Sequence, residues 1–163
     1  MEHLSFDESR IIDHWQKYLN SCIPSCVEMI LKLLRKVDID FYDLQNDWGE
    51  KSDGSFHDFD RFSYDNVIFS HEFSSEIRGP SFPLNKLFGR IDELLLEGEF
   101  ICVSLSNTNR FHMYIIFEKI YDEYRAFSKI SNSNQTIYYS YVRKNIIALG
   151  GTDILTYKEL SNT

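Results

Sequence analysis

The chain of 163 residues has little of what marks linkers, fibres or secreted scaffolds. Three prolines and seven glycines are too few for a repeat or low-complexity tract, and none is seen. Three cysteines make an odd count, which does not suit a disulfide framework, so a reducing, cytoplasmic setting is expected. No apolar run approaches the roughly 20 residues that cross a bilayer. The stretch Met1 to Glu8 lacks the basic and apolar regions of a secretory signal. Basic residues are also short: 17 Lys and Arg against 25 Asp and Glu give a net charge of -8 with no basic cluster. That balance argues against a nucleic-acid partner.

What remains is the composition of a packed globular protein, 43% hydrophobic and 15% aromatic, long enough for one domain over residues 1–163. Ile11 to Tyr18 reads as a short helix or irregular lead-in, with Ile11, Ile12, Trp15 and Tyr18 available for one face. A clearer helix begins near Pro24, tolerated in a first turn, and repeats Cys26, Met29, Ile30, Leu33 and Leu34 at helical spacing. Lys32, Arg35 and Lys36 place positive charge towards its C-terminal end. Between Asp43 and Pro83 the pattern dissolves into turns and scattered aromatics, with short strands near Asn66 to Phe69; such a segment suits a binding loop or lid.

Leu84 to Glu97 is a second strong helix, stopped by Gly98. Strands then follow at Phe100 to Leu105, Phe111 to Ile120, Tyr124 to Ser128, Thr136 to Tyr141 and Ile154 to Tyr157. The expectation is an α+β fold: N-terminal helices, to about residue 98, packed on a C-terminal antiparallel sheet from about residue 99.

The chemistry is concentrated in Gln16-Lys17-Tyr18-Leu19-Asn20-Ser21-Cys22-Ile23-Pro24-Ser25-Cys26. A thiol at a helix N-terminus gains from backbone N–H groups and the positive end of the dipole, which favour its thiolate. A glutamine just upstream can donate to an oxyanion formed when that thiolate attacks a carbonyl. Such a nucleophile needs a histidine to take its proton and return it to the leaving group. His112, opening a strand after the turn Ser106-Asn107-Thr108-Asn109-Arg110, is the candidate.

Gln16, then Cys22, Pro24 and Cys26, then a helix, then His112 at a strand start, together resemble the bacteriocin-processing cysteine peptidase family. Those are papain-like domains that trim double-glycine leader peptides, often fused to peptide-exporting ABC transporters, with free-standing relatives. The identifiable residues cover about Gln16 to Leu34 and Phe100 to Ser128. The resemblance implies a papain-like fold, Cys22 as nucleophile, Gln16 as oxyanion donor and His112 as general base. It puts Cys26 on a usually structural cysteine position. A peptide or protein substrate and a functional link to a peptide exporter follow from it.

The chain departs from that pattern in three places. Ser21 and Ile23 stand where the family has an acidic residue and a glycine, and Ile23 is expected to crowd a substrate backbone. Ser128 falls where the family has the Asp that orients the histidine. A serine accepts from imidazole without supplying charge, and Asn132 or Asn134 can replace it if the following turn curls back.

Bland readings stand beside these. Cys26 and Cys102 suit the core, and His57 and His71 suit a solvated loop. Cys22 and Cys26 lack the second pair a zinc site needs, and Asp58 and Asp60 lack a calcium-loop pattern. No metal and no cofactor are expected. Three functional readings stay open: a cysteine hydrolase, with acyl transfer or deamidation as variants; a catalytically impaired peptide-binding module; and an unrelated enzyme in which Cys22 is merely buried.

Overall fold

Two apolar clusters, one on each face of a single antiparallel sheet, organise the chain. The computed structural model describes residues 6–107 and 110–160; Thr108 and Asn109, in the turn expected before His112, lie outside the described residues. Among the described residues there are four α-helices, α1 (Cys22–Leu33), α2 (Asp43–Trp48), α3 (Leu84–Leu96) and α4 (Val142–Leu149). Seven strands accompany them: β1 (Ser63–Tyr64), β2 (Val67–His71), β3 (Ile101–Asn107), β4 (Arg110–Ile120), β5 (Glu123–Lys129), β6 (Thr136–Tyr139) and β7 (Ile154–Glu159). They pair in the order β1-β2-β7-β3-β4-β5-β6. The fold is mixed α+β, and none of its described helices is long and apolar enough to cross a membrane.

Strand alternation sorts the side chains. Phe69, Cys102, Ile115, Phe127 and Leu155 face the front, where Cys26, Met29 and Ile30 of α1 meet them. Val103, Tyr114, Ile116, Ala126 and Ile154 face the back, covered by α3 and α4. Leu87, Phe88, Ile91 and Leu94 bury the apolar stripe of α3. At about 1.5–3 kcal/mol for each large side chain, that stripe contributes enough to hold a helix that alone would be marginal in water.

Helix α1 is buried nearly all round, including Glu28 and Lys32. Lys32, read as positive charge near the C-terminal end of the helix, therefore has to find partners inside. The segment before α1 is not helical: a single 3-10 turn over Glu8–Arg10 precedes irregular backbone, and Gln16 bridges to Ser133. Ile12 and Trp15 stay exposed, contrary to the expected apolar face. The division into helical and sheet halves is also looser than expected. β1 and β2 from the first half extend the sheet beside β7, and α4 lies in the second half, between two expected strands, where no element was expected.

Candidate active site

Cys22 is the first residue of α1, and the N-cap residue Ser21 makes no side-chain bond to the helix. Its hydroxyl turns instead to the Gln45 carbonyl oxygen at 2.8 Å and accepts from the Tyr18 N–H at 3.1 Å. The first N–H groups of α1 thus remain available to the cysteine. The backbone N–H groups of Met113, Cys22 and Ile23 near the Cys22 sulfur act to lower its pKa, as a helix N-terminus should. Burial outweighs them and pushes the thiol up to about 11, with Cys26 adding to the rise. The resting group is therefore a neutral thiol, not the thiolate expected from helix position alone. Cys26 and Cys102 are buried, so alkylation reports Cys22. Its rate with iodoacetamide should climb towards about pH 11. A plateau between about pH 5 and 8 that vanishes in His112→Ala would instead reveal an ion pair.

The Met113 contact sets Cys22 against β4 one residue beyond His112. The imidazole lies edge-on to Tyr114, ring centres 5.4 Å apart. Its Nε2 is 2.9 Å from the Lys129 carbonyl oxygen and 2.9 Å from Ser128 Oγ. A carbonyl only accepts, and the single Ser128 hydroxyl proton goes to the Met113 carbonyl at 2.6 Å. In the neutral ring Nε2 therefore carries the hydrogen, and Nδ1 is the nitrogen that takes a proton. A backbone carbonyl and a hydroxyl thus orient the imidazole without charge, where the resemblance implies an aspartate. Because the Lys129 carbonyl still accepts from Nε2 when the hydroxyl is removed, Ser128→Ala should lower hydrolysis of an activated acyl ester only about three- to tenfold. A loss nearer the ~10²–10⁴ attributable to a general base would make Ser128 the sole orienting group.

The remaining expected residues are placed as follows. Gln16 is buried, and its amide nitrogen donates to Tyr18 O at 3.1 Å, Leu19 O at 3.3 Å and Ser131 Oγ at 3.1 Å. It fastens the strand-end turn to the approach of α1. Asn132 lies exposed in a left-handed conformation, φ 58°. Asn134 is exposed and gives its carbonyl to the buried Lys129 ammonium at 3.0 Å. Cys26 and Cys102 hydrogen-bond each other in the core. Ile23, expected to crowd a substrate, is buried in the front cluster instead.

Sequence reasoning missed the polar group behind the cysteine. Lys32 Nζ donates to His14 Nδ1 at 2.8 Å, and His14 Nε2 reaches Ser25 Oγ at 3.0 Å. Gln45 is the hub: its amide donates to Trp15 O and Glu28 Oε1, both at 2.8 Å, and its backbone N–H to Glu28 Oε2 at 3.0 Å. Its carbonyl oxygen accepts the Lys17 N–H at 2.7 Å. Burial raises Glu28 to about 7 and lowers Lys32 to about 8, and burial with the Lys32 charge holds His14 well below its usual range. The network ties residues 14–21 to α1 and α2. Its one sequence signal was Glu28 and Lys32 at i, i+4 on an otherwise apolar helix, a spacing that also describes any exposed ion pair.

A cavity of about 400 Å³ adjoins this region, lined by His57, His71, Phe73, Ser104, Met113 and Asp153 among others. Met113 both lines it and packs against the apolar cluster that includes Cys22. Comparison with protein-family models and with curated proteins finds no match for the chain.

Proposed function

We propose that the chain is a papain-like cysteine hydrolase acting on an amide, peptide or thioester carbonyl, in the manner of the leader-processing peptidases it resembles. The observation that carries this reading is the Cys22 sulfur near the amide of Met113, the residue that follows His112 in β4, together with a His112 imidazole whose Nε2 is tied down by β5. With the Cys22 thiol neutral, the first step is a general-base one. His112 Nδ1 takes the thiol proton as sulfur bonds to the carbonyl carbon. The oxyanion is met by the Cys22 N–H. Gln16 presents two amide hydrogens to three acceptors, and the 3.3 Å contact to Leu19 is the one an oxyanion displaces. Collapse expels the amine or thiol, which takes the proton from His112. Water, deprotonated by the same nitrogen, then splits the thioester to release a carboxylic acid and the free thiol.

The cavity that ends at Met113 offers a place for the acyl portion of a peptide or protein substrate. A functional link to a peptide exporter belongs to the same proposal. The uncharged Ser128 and the raised Cys22 pKa favour one rival, an impaired domain that binds peptide without cutting it. The two separate in one experiment. A peptide pool carrying paired small residues is incubated with wild type and Cys22→Ala, and new termini are read by mass spectrometry. Cleavage by wild type alone supports the hydrolase. Peptides that stay bound and intact with both proteins overturn it in favour of the binding module.

A further inference from the structure

Three side chains from separate elements converge beside the cavity, two of which, His57 and His71, line it. His57 belongs to a 3-10 turn (Phe56–Phe59), Asp60 follows it, and His71 ends β2. One ligand atom from each lies within 4.8 Å of the others. His71 is prepared in a particular way. Its Nδ1 is 3.1 Å from Asp153 Oδ2, and Asp153 Oδ1 already accepts the N–H groups of Phe73 at 2.7 Å and Ile154 at 2.8 Å. That carboxylate is fixed and accepts only, so neutral His71 carries its hydrogen on Nδ1 and presents the Nε2 lone pair. Asp60 is aimed the same way, since its Oδ1 accepts the His71 backbone N–H at 3.2 Å. Its Oδ2 stands 3.7 Å from His71 Nε2, too long for a hydrogen bond.

We propose that His57, Asp60 and His71 form a binding site for a divalent first-row transition ion of the zinc class, with Asp153 as the outer carboxylate that orients His71. Ligand bonds of about 2.0–2.2 Å in a tetrahedron set neighbouring donors roughly 3.3–3.5 Å apart. The Asp60–His71 pair is already near that separation, and exposed His57 closes the remainder by a side-chain rotation. A carboxylate behind a ligating histidine is the usual way its tautomer and orientation are fixed. Two carboxylates around two neutral imidazoles also leave negative charge that a divalent ion balances. Three protein ligands leave a fourth position open towards the cavity. The site does not depend on the reading of Cys22.

Cobalt(II) titration of the metal-stripped protein in a Cys22→Ser background, which removes the accessible thiol as a competing ligand, tests this. The expected result is one equivalent bound with the intense visible absorption of a four- or five-coordinate ion, displaced by zinc. His57→Ala and Asp60→Asn should each weaken binding at least tenfold, and Asp153→Asn about 10–100-fold without removing a ligand. Zinc should raise the melting temperature of the parent more than that of His57→Ala, whose exposed position keeps the variant folded. Binding no tighter than millimolar, or equally tight in His57→Ala and Asp60→Asn, would mean adventitious surface binding and overturn the proposal.

Discussion

Turnover of an activated acyl ester should fall at least about a thousandfold in Cys22→Ala, and about a hundredfold or more in His112→Ala. The second figure follows from the neutral resting thiol. Where a cysteine rests as a thiolate, attack proceeds without further proton transfer and the histidine matters chiefly to the leaving group. With the Cys22 thiol pushed up to about 11, less than a thousandth is ionised near neutrality, so His112 is required for attack as well. It is required again to activate water. His112→Ala should therefore slow acylation and stall whatever acyl-enzyme forms, while Cys22→Ala forms none. Stopped-flow release of the leaving group separates the two: a burst without steady state in His112→Ala, and neither phase in Cys22→Ala.

Glu28→Leu should destabilise the fold by roughly 3–5 kcal/mol, the usual cost of removing one partner from a buried charged network. Leucine leaves the Gln45 N–H without its acceptor and leaves Lys32 without the carboxylate that offsets its charge. Urea denaturation measures the loss. The pH dependence distinguishes this from simple repacking. Glu28 has a folded pKa of about 7, above its unfolded value, so folding binds a proton there. Its contribution is fully present below the unfolded pKa and lost as pH rises through about 7. Wild type should therefore lose stability relative to Glu28→Gln as pH rises across that window. A constant difference would mean that Glu28 titrates normally.

The parts of the fold that were legible in the sequence are those with strong periodicity. α1, α3 and β3 to β5 announce themselves because their apolar residues recur with the period of the element that buries them. α4 does not. Only Val142 and Ile146 of its eight residues are buried, and the aromatic run Tyr138-Tyr139-Tyr141 before it reads as strand. α2 fully buries only Gln45, held by hydrogen bonds, while Leu44 and Trp48 pack half-buried against the front cluster, a face too short to show a period. The lead-in Ile11 to Tyr18 misleads because its apolar spacing suits a helix, whereas His14 and Gln16 anchor it through polar bonds to other elements.

The site divides along the same line. Cys22, His112 and Ser128 are the candidates that chemistry picks out in the sequence, and the structure brings Ser128 onto His112. The Lys129 carbonyl that shares the imidazole is invisible in sequence, since every residue carries one. So is the burial that raises the Cys22 thiol. The metal candidate is hidden for a third reason: His57, Asp60 and His71 converge only through the packing of a turn on β2.

Intact-mass measurement of the protein after brief exposure to a small acyl thioester tests the central claim most directly. The expected result is one acyl group on Cys22 that decays with time in wild type, accumulates slowly but then persists in His112→Ala, and is absent in Cys22→Ala. No adduct on Cys22, or thioester hydrolysis that continues unchanged in Cys22→Ala, would contradict it.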